Sequence, residues 1–291
     1  MKRIVYTVAT GKRRFGEMAM GLARSLSLIG DTNPRVIVTD IDGFDWHRHF
    51  DEVLRPTGPR SALDKLTALE RTDADQVLSL DVDMLAFKRL DPIFAYCGGH
   101  SMAVQGFEDT TGSFHGVPVS RVCETYGVSA IPRFNGGMIY YERHPDFEEM
   151  LAAMREAESN YDRLGFDAFR SSQRVSEEVC VMHAILTVGK FHLIPQSFDF
   201  QHSAAGVIGK LHLDVATNTC RYVCRQESLR YHEPYLFHAW RYKDFWNYWR
   251  QIDTLERLER WHDAHGTMHL PRLHRIGRSI QRRFLRLKGR A

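Results

Sequence analysis

The sequence has no long apolar run. Nowhere in its 291 residues does it approach the ~20 consecutive apolar residues that cross a bilayer, so no membrane-spanning helix is expected. Cysteine is sparse: Cys97, Cys123, Cys180, Cys220 and Cys224 are scattered and odd in number. They read as reduced thiols in a reducing compartment and not as a disulfide framework. Cys220 and Cys224 lie close together in "CRYVC", but no second pair follows to complete a zinc site of the usual spacing. The basic start "MKRIVYTVATGKRRFG" has too short an apolar stretch for a signal peptide and no cleavage site, so it reads as a first strand. Internal repeats and low-complexity segments are also missing, which sets aside solenoids and disordered arrays.

What remains is an ordinary globular balance, 43% hydrophobic and 26% charged, on a chain long enough to bury a large core without staples. The net charge of +3 is unevenly spread. Pro271 to Ala291 carries seven Arg, one Lys and no acid, leaving 31 basic against 36 acidic residues elsewhere. The tail is a separate electrostatic object, with Leu273, Ile276, Ile280, Phe284 and Leu287 along one helical side. We divide the chain into a main domain, 1–262, and a basic amphipathic tail, 263–291. Such a tail suits an anionic membrane surface or an anionic glycan. No nucleic-acid recognition motif accompanies the charge. The expected location is cytoplasmic, with peripheral contact at the inner face of the membrane.

Strand and helix signals alternate in the first half. "RIVYTVA" is a short β-rich run; Met18, Leu22, Leu26 and Ile29 then fall on one helical face, closed by Gly30. "PRVIVTD" is a second strand. Ser61 to Thr72 reads as a helix capped by Ser61, with Leu63, Leu66 and Leu69 along it, and "QVLSL" as the next strand. This alternation predicts an α/β fold with a mostly parallel sheet covered by helices. Phe107 to Gly127, rich in Gly, Thr and Ser, reads as a loop crossing a site. "RFNGGMIYYER" restarts as a strand, Pro145 to Ser159 and Ser176 to Val188 read as helices, and "KFHLIP" and "PYLFHAW" as short strands. "KDFWNYWRQIDTLERLERWHDA" is a long amphipathic helix.

The chemistry concentrates in "QVLSLDVDMLAF". Asp81 and Asp83 project to the same side of an extended backbone. At the carboxyl edge of a parallel sheet they face the crevice where open α/β folds bind ligands. Two such carboxylates repel unless a cation neutralises them. Mg²⁺ and Mn²⁺ take carboxylates together with substrate phosphates, and Mn²⁺ also accepts imidazole. The competing reading is a solvated Asp-rich turn.

"KLTALERTDADQVLSLDVDMLAFKRLDPIF" resembles the segment around the DxD motif of GT-A nucleotide-sugar glycosyltransferases, most closely family 8, which includes glycogenin and lipopolysaccharide galactosyltransferases. "YTVATGKRRF", "FNGGMIYYER", "SEEVCVMHAI" and "FHAWRYKDFW" follow the family's remaining motifs in order, over about residues 3 to 246. The resemblance implies a GT-A-like fold and transfer of a hexose from a nucleotide diphosphate sugar, a UDP-sugar above all, to a hydroxyl on a glycan, lipid-linked or small-molecule acceptor, with retention. It implies Mn²⁺ or Mg²⁺ held by Asp81, Asp83 and His238. Thr7, Ala9, Thr10 and Gly11 would line the nucleotide, joined by Lys65, Asp81, Val82 and Lys243. Asn135, Glu177 and Glu178 would face the sugar and acceptor. The sequence departs from the pattern at Glu177–Glu178, where the family has Asp-Gln, at Asp199 in place of an asparagine, and after His238, where a glycine is missing and the lysine comes one place early. Two alternatives stand beside this reading. One is a non-catalytic sugar-nucleotide or glycan binder on the same fold. The other is a haloacid dehalogenase-type phosphohydrolase, whose Asp-X-Asp is normally followed by Gly-Thr and not by Met84 and Leu85.

Overall fold

The computed structural model describes residues 1–59, 61–166, 175–225, 230–240 and 246–266; the tail beyond 266, and with it the expected basic amphipathic helix, lies outside the described residues. The apolar runs become strands β1 (Arg3–Ala9), β2 (Arg35–Thr39), β3 (Glu52–Leu54), β4 (Gln76–Leu80), β5 (Met84–Ala86) and β6 (Met102–Asp109). Further along come a small hairpin, β7 (Ser113–Phe114) and β8 (Val117–Pro118), then β9 (Ile131–Glu142), β10 (His192–Pro195) and β11 (Gln201–His202). The last four are β12 (Val207–Asp214), β13 (Thr219–Cys224), β14 (Tyr231–His232) and β15 (Leu236–His238). The helices are α1 (Arg13–Leu28), α2 (Ala68–Arg71), α3 (Asp91–Cys97), α4 (Val119–Tyr126), α5 (Pro145–Ser159), α6 (Glu177–Val188) and α7 (Trp246–His265).

Seven strands form the main sheet in the order β10-β6-β9-β4-β1-β2-β3. The pairs β1–β2, β1–β4, β2–β3 and β6–β10 are parallel. Both β2 and β4 are buried at every position, as expected of strands covered on two faces. The exception to the parallel pattern is β9, which runs antiparallel to both β4 and β6. A helix packs tightly on this frame: at Gly21 of α1 an added Cβ would stand 2.9 Å from Ile252 Cγ1 of α7. Among the described residues no helix is long and apolar enough to cross a membrane.

The site owes its position to one crossing. After β4 ends at Leu80, the chain turns through Asp81 to Asp83 and re-enters as β5. A second sheet, β11-β15-β5, lies there, and its antiparallel register sets His238 opposite Met84, next to Asp83. Distant halves of the chain therefore meet at the end of β4.

Two segments differ from their sequence reading. Ser61 to Thr72 is not one helix but a 3₁₀ turn, Asp64–Leu66, followed by the single turn of α2. Leu63, Lys65, Leu66, Ala68 and Leu69 are all buried, which no single helical face could arrange, so burial on several sides overrides the helical spacing. The stretch from Phe107 to Gly127 contains the end of β6, the β7–β8 hairpin and α4; the mixed spacing hid a helix behind its Gly- and Thr-rich start.

Strand β6 also carries a close approach. Its pairing with β9 shifts register between Val104 and Gly106, and a Cβ at Gly106 would fall 2.0 Å from the Arg133 carbonyl oxygen. Gly106→Ala must push backbone against backbone, so a loss of about 1–3 kcal/mol in denaturant unfolding is expected; an unchanged midpoint would show that the strands relax without strain.

Candidate active site

Asp81, Asp83 and His238 each offer a ligand atom, and these atoms lie within 4.8 Å of one another. His238 Nε2 stands 3.2 Å from Asp83 Oδ1 and 3.6 Å from Asp81 Oδ2. Its other nitrogen is fixed: Asn135 Oδ1 accepts from the Gly137 N–H at 2.9 Å and lies 2.9 Å from His238 Nδ1. Because Asn135 presents oxygen there, Nδ1 carries the hydrogen, and neutral His238 aims its Nε2 lone pair at the two carboxylates. Three acceptors then face one another, a donor set that fits a divalent cation of the Mn²⁺ or Mg²⁺ kind. A proton competes for the same place. Burial alone would lower the His238 pKa, but Asp83, by hydrogen bond and charge, and then Asp81 raise it above the ordinary value.

Beside this triad lies a buried ion cluster. Lys65 Nζ donates to Asp81 Oδ1 at 2.9 Å, to the Gly136 carbonyl and to Glu177 Oε1. Burial opposes its charge, yet Asp81 and Glu177 hold it protonated, with its pKa above the usual lysine value. Glu177 shows the reverse balance: burial pushes its carboxyl up to about 7, and Asp81 and Glu178 add to this against the pull of Lys65. Glu178 accepts the Gly136 N–H at 2.9 Å and meets His115 Nε2 at 3.3 Å. Burial would raise its pKa too, but His115 and the Gly136 N–H hold it below the ordinary carboxylate value. Adjacent acids at the start of α6 are thus driven toward different protonation states.

Glycine makes this convergence possible. A Cβ at Gly136 would lie 2.4 Å from Glu177 Oε1, and one at Gly137 would lie 2.6 Å from His238 Nδ1. Strand β9 offers bare backbone where other elements bring functional groups.

The end of β1 adjoins the end of β4. The Thr7 hydroxyl donates to the Leu80 carbonyl at 2.7 Å, Ala9 is buried, and the Gly11 N–H donates to Asp40 Oδ1 at 2.7 Å with the glycine at φ 84°. The Thr10 hydroxyl is buried with no hydrogen-bond partner among the described residues. The Val82 side chain packs into the apolar cluster with Ala9 and Leu85. Lys243 lies outside the described residues.

Sequence reasoning missed three contributors. His115, held at φ 44°, comes from the turn between β7 and β8; Ser176, placed to cap α6, instead turns its hydroxyl to His115 at 3.4 Å. Gln201 donates from Nε2 to the Asn135 carbonyl at 2.8 Å. Tyr248 of α7 buries a hydroxyl that has no partner among the described residues, and burial together with nearby Asp83 pushes its pKa well above the usual value. None sits in a motif, and only the third dimension brings them in.

No family model matches the chain, and no curated protein matches it. Solved structures do. An active-site mutant of LgtC, with glutamine replaced by glutamate, superposes with a TM-score of 0.51 at 14% identity, over 89% of this chain and 99% of that one. Mouse xyloside xylosyltransferase 1 gives 0.49 at 9% identity, over 69% and 88% of the two chains. The glycosyltransferase GlyE of Streptococcus pneumoniae TIGR4 gives 0.45 at 15% identity over 69% of this chain, which spans only 47% of that longer protein.

Lys65→Met leaves Asp81 and Glu177 without their cation. The expected loss is about 3 kcal/mol, as for one partner removed from a buried pair, and smaller at acid pH, where Glu177 takes up a proton; equal losses at pH 6 and 8 would contradict the cluster. Native Glu177 generates its own pH dependence. Its folded pKa of about 7 exceeds the reference 4.5, so the folded state binds more protons in that window and stability falls as pH rises through it. Glu177→Gln is expected to flatten that slope in denaturant titrations at stepped pH.

With its mostly parallel sheet, the β4-end crossing and its superposition on LgtC over 89% of its length, the chain has the GT-A glycosyltransferase fold.

Proposed function

We propose that the protein is a metal-dependent glycosyltransferase that moves a hexose from a UDP-sugar to a hydroxyl acceptor. The observation that carries this reading is the meeting of Asp81, Asp83 and His238 beside Lys65 at the carboxyl end of β4, the place where a GT-A sheet presents its ligand crevice. Mn²⁺ or Mg²⁺ bound there would supply a Lewis acid for the departing diphosphate. The residues do the rest by position and charge. Asn135 keeps the His238 lone pair turned to the carboxylates. Lys65 adds a fixed positive charge next to Asp81. The hydroxyls of Thr10 and Tyr248 are donors that a phosphate or ribose oxygen can satisfy. Thr7, Ala9 and Gly11 shape the nucleotide side, with Lys243 as a further phosphate contact.

On the other side of the ion cluster, Glu178 is anionic and oriented by Gly136 and His115, while Glu177 is poised near its titration point. We assign them to the transferred sugar and the acceptor hydroxyl. Retention, with attack from the face of the leaving group, follows from the family resemblance. The domain would be residues 1–262, with the tail as a peripheral contact for an anionic membrane at the cytoplasmic face.

A binder without turnover is the second reading, favoured by one observation: the Lys65 ammonium is committed to Asp81, Glu177 and Gly136. Calorimetry tests the site first. UDP is expected to bind only with Mn²⁺, and Asp83→Ala is expected to abolish binding; a native protein that ignores UDP in the presence of Mn²⁺ would overturn the assignment. Hydrolysis of UDP-glucose or UDP-galactose then separates transferase from binder.

A further inference from the structure

A second group of metal-ligand side chains is built from residues other than Asp81, Asp83 and His238. His202 of β11, Cys224 of β13 and His232 of β14 bring one ligand atom each to within 4.8 Å of one another. We propose that this cluster is a zinc site, or a site for a closely similar ion, that staples the three strands together. The proposal is independent of the transferase reading.

The arrangement begins with the sheet. β13 and β14 are antiparallel, with Tyr222 opposite His232. Cys224 lies two residues along β13, so it shares the face of Tyr222. Both Cys224 and His232 are completely buried. "CRYVC" lacks a second cysteine pair in sequence; here Cys224 alone of that pair is joined by two imidazoles delivered by other strands.

The orientation of His232 is that of a metal ligand. Its Nδ1 lies 2.9 Å from Asp199 Oδ1. Asp199 is itself held by Arg230 Nη2 at 2.7 Å and by the Glu233 N–H at 3.3 Å, on a backbone at φ 52°. A carboxylate behind one ring nitrogen keeps the hydrogen there, turns the other nitrogen's lone pair inward and makes it a stronger donor. Asp199, a departure from the family's usual asparagine, thus has a place as the anion behind a ligand. His202 is the costlier ligand. Its Nδ1 accepts the Ala204 N–H at 2.9 Å and lies 2.8 Å from the Tyr222 hydroxyl. Ligation through Nε2 moves the ring hydrogen to Nδ1, where Tyr222 can accept it, and gives up the bond from Ala204.

Chemistry selects the ion. Two imidazoles and a thiolate form an N/S set that takes Zn²⁺ with one tetrahedral position left for water, whereas the oxygen-rich set of Asp81, Asp83 and His238 suits Mn²⁺ or Mg²⁺. On binding, Cys224 loses its thiol proton to solvent. The thiolate offsets half of a dication's charge, and the Asp199 carboxylate, shared with Arg230 at its outer side, adds a second negative charge next to the site. The two imidazole rings already stack at 4.1 Å, a contact suited to neutral rings.

The staple has something to hold. β11 and β14 are two-residue strands, too short to persist on backbone bonds alone. β11 pairs with β15 so that His202 faces Phe237, the neighbour of His238. Fixing β11 therefore steadies the strand that delivers the imidazole of the cleft.

The test uses the purified full chain. Elemental analysis after dialysis is expected to find one equivalent of zinc. Replacement by Co²⁺ is expected to produce a thiolate-to-cobalt charge-transfer band. That band should vanish in Cys224→Ser and persist in Cys220→Ala and in Asp83→Asn. A native protein that retains no zinc and shows no thiolate–cobalt band overturns the proposal without reference to any variant. So does zinc bound without that band, or a band that survives in Cys224→Ser, since each would place the metal elsewhere.

Discussion

One buried ammonium organises the cleft. Lys65 is only 7% exposed, and it reaches Asp81 after β4, the Gly136 carbonyl on β9 and Glu177 at the head of α6. Stripping water from a lysine costs several kcal/mol, and here two carboxylates and a carbonyl replace that water. Four segments remote in sequence are thereby tied to one atom. The same tie sets the electrostatics: with the lysine shared between Asp81 and Glu177, Glu177 is incompletely compensated and titrates near neutrality, while Glu178, with His115 and a backbone amide of its own, stays charged.

A second lock runs through neutral groups. Gln201 holds the Asn135 carbonyl, Asn135 holds the tautomer of His238, and His238 meets the Asp83 carboxylate. Gln201, His238 and Asp83 are buried and Asn135 is half-buried, so their polar groups favour partners within the protein, and the bonds from Gln201 Nε2 through Asn135 Oδ1 are those that aim the imidazole. The two locks share β9, and the antiparallel placement of that strand between β4 and β6 brings Asn135 and Gly136 to the end of β4.

Much of this was legible in the chain. Apolar runs and helical spacing located β1, β2, β4, α1 and α5, and the Asp-X-Asp marked the end of β4 where His238 joins the two carboxylates. His238 was legible as a histidine closing a short strand. The reversal of β9 was not, because strand direction depends on long-range pairing that "RFNGGMIYYER" does not encode locally. The turn at Lys65 was misread as a helix because its leucine spacing fits one, while burial on several sides decides otherwise. His115, Gln201 and Tyr248 belong to no pattern at all. Glu177 and Glu178 depart from the family pattern; in the fold the two acids have separate partners.

The paired glycines of β9 have a consequence for how such a cleft changes over time. Gly136 and Gly137 leave room on the scale of a methyl group, and Glu177 and His238 occupy it. A single added carbon at either position would meet a side chain first, Glu177 or His238, and displace it. An open cleft and a filled one therefore stand one mutational step apart on an unchanged scaffold.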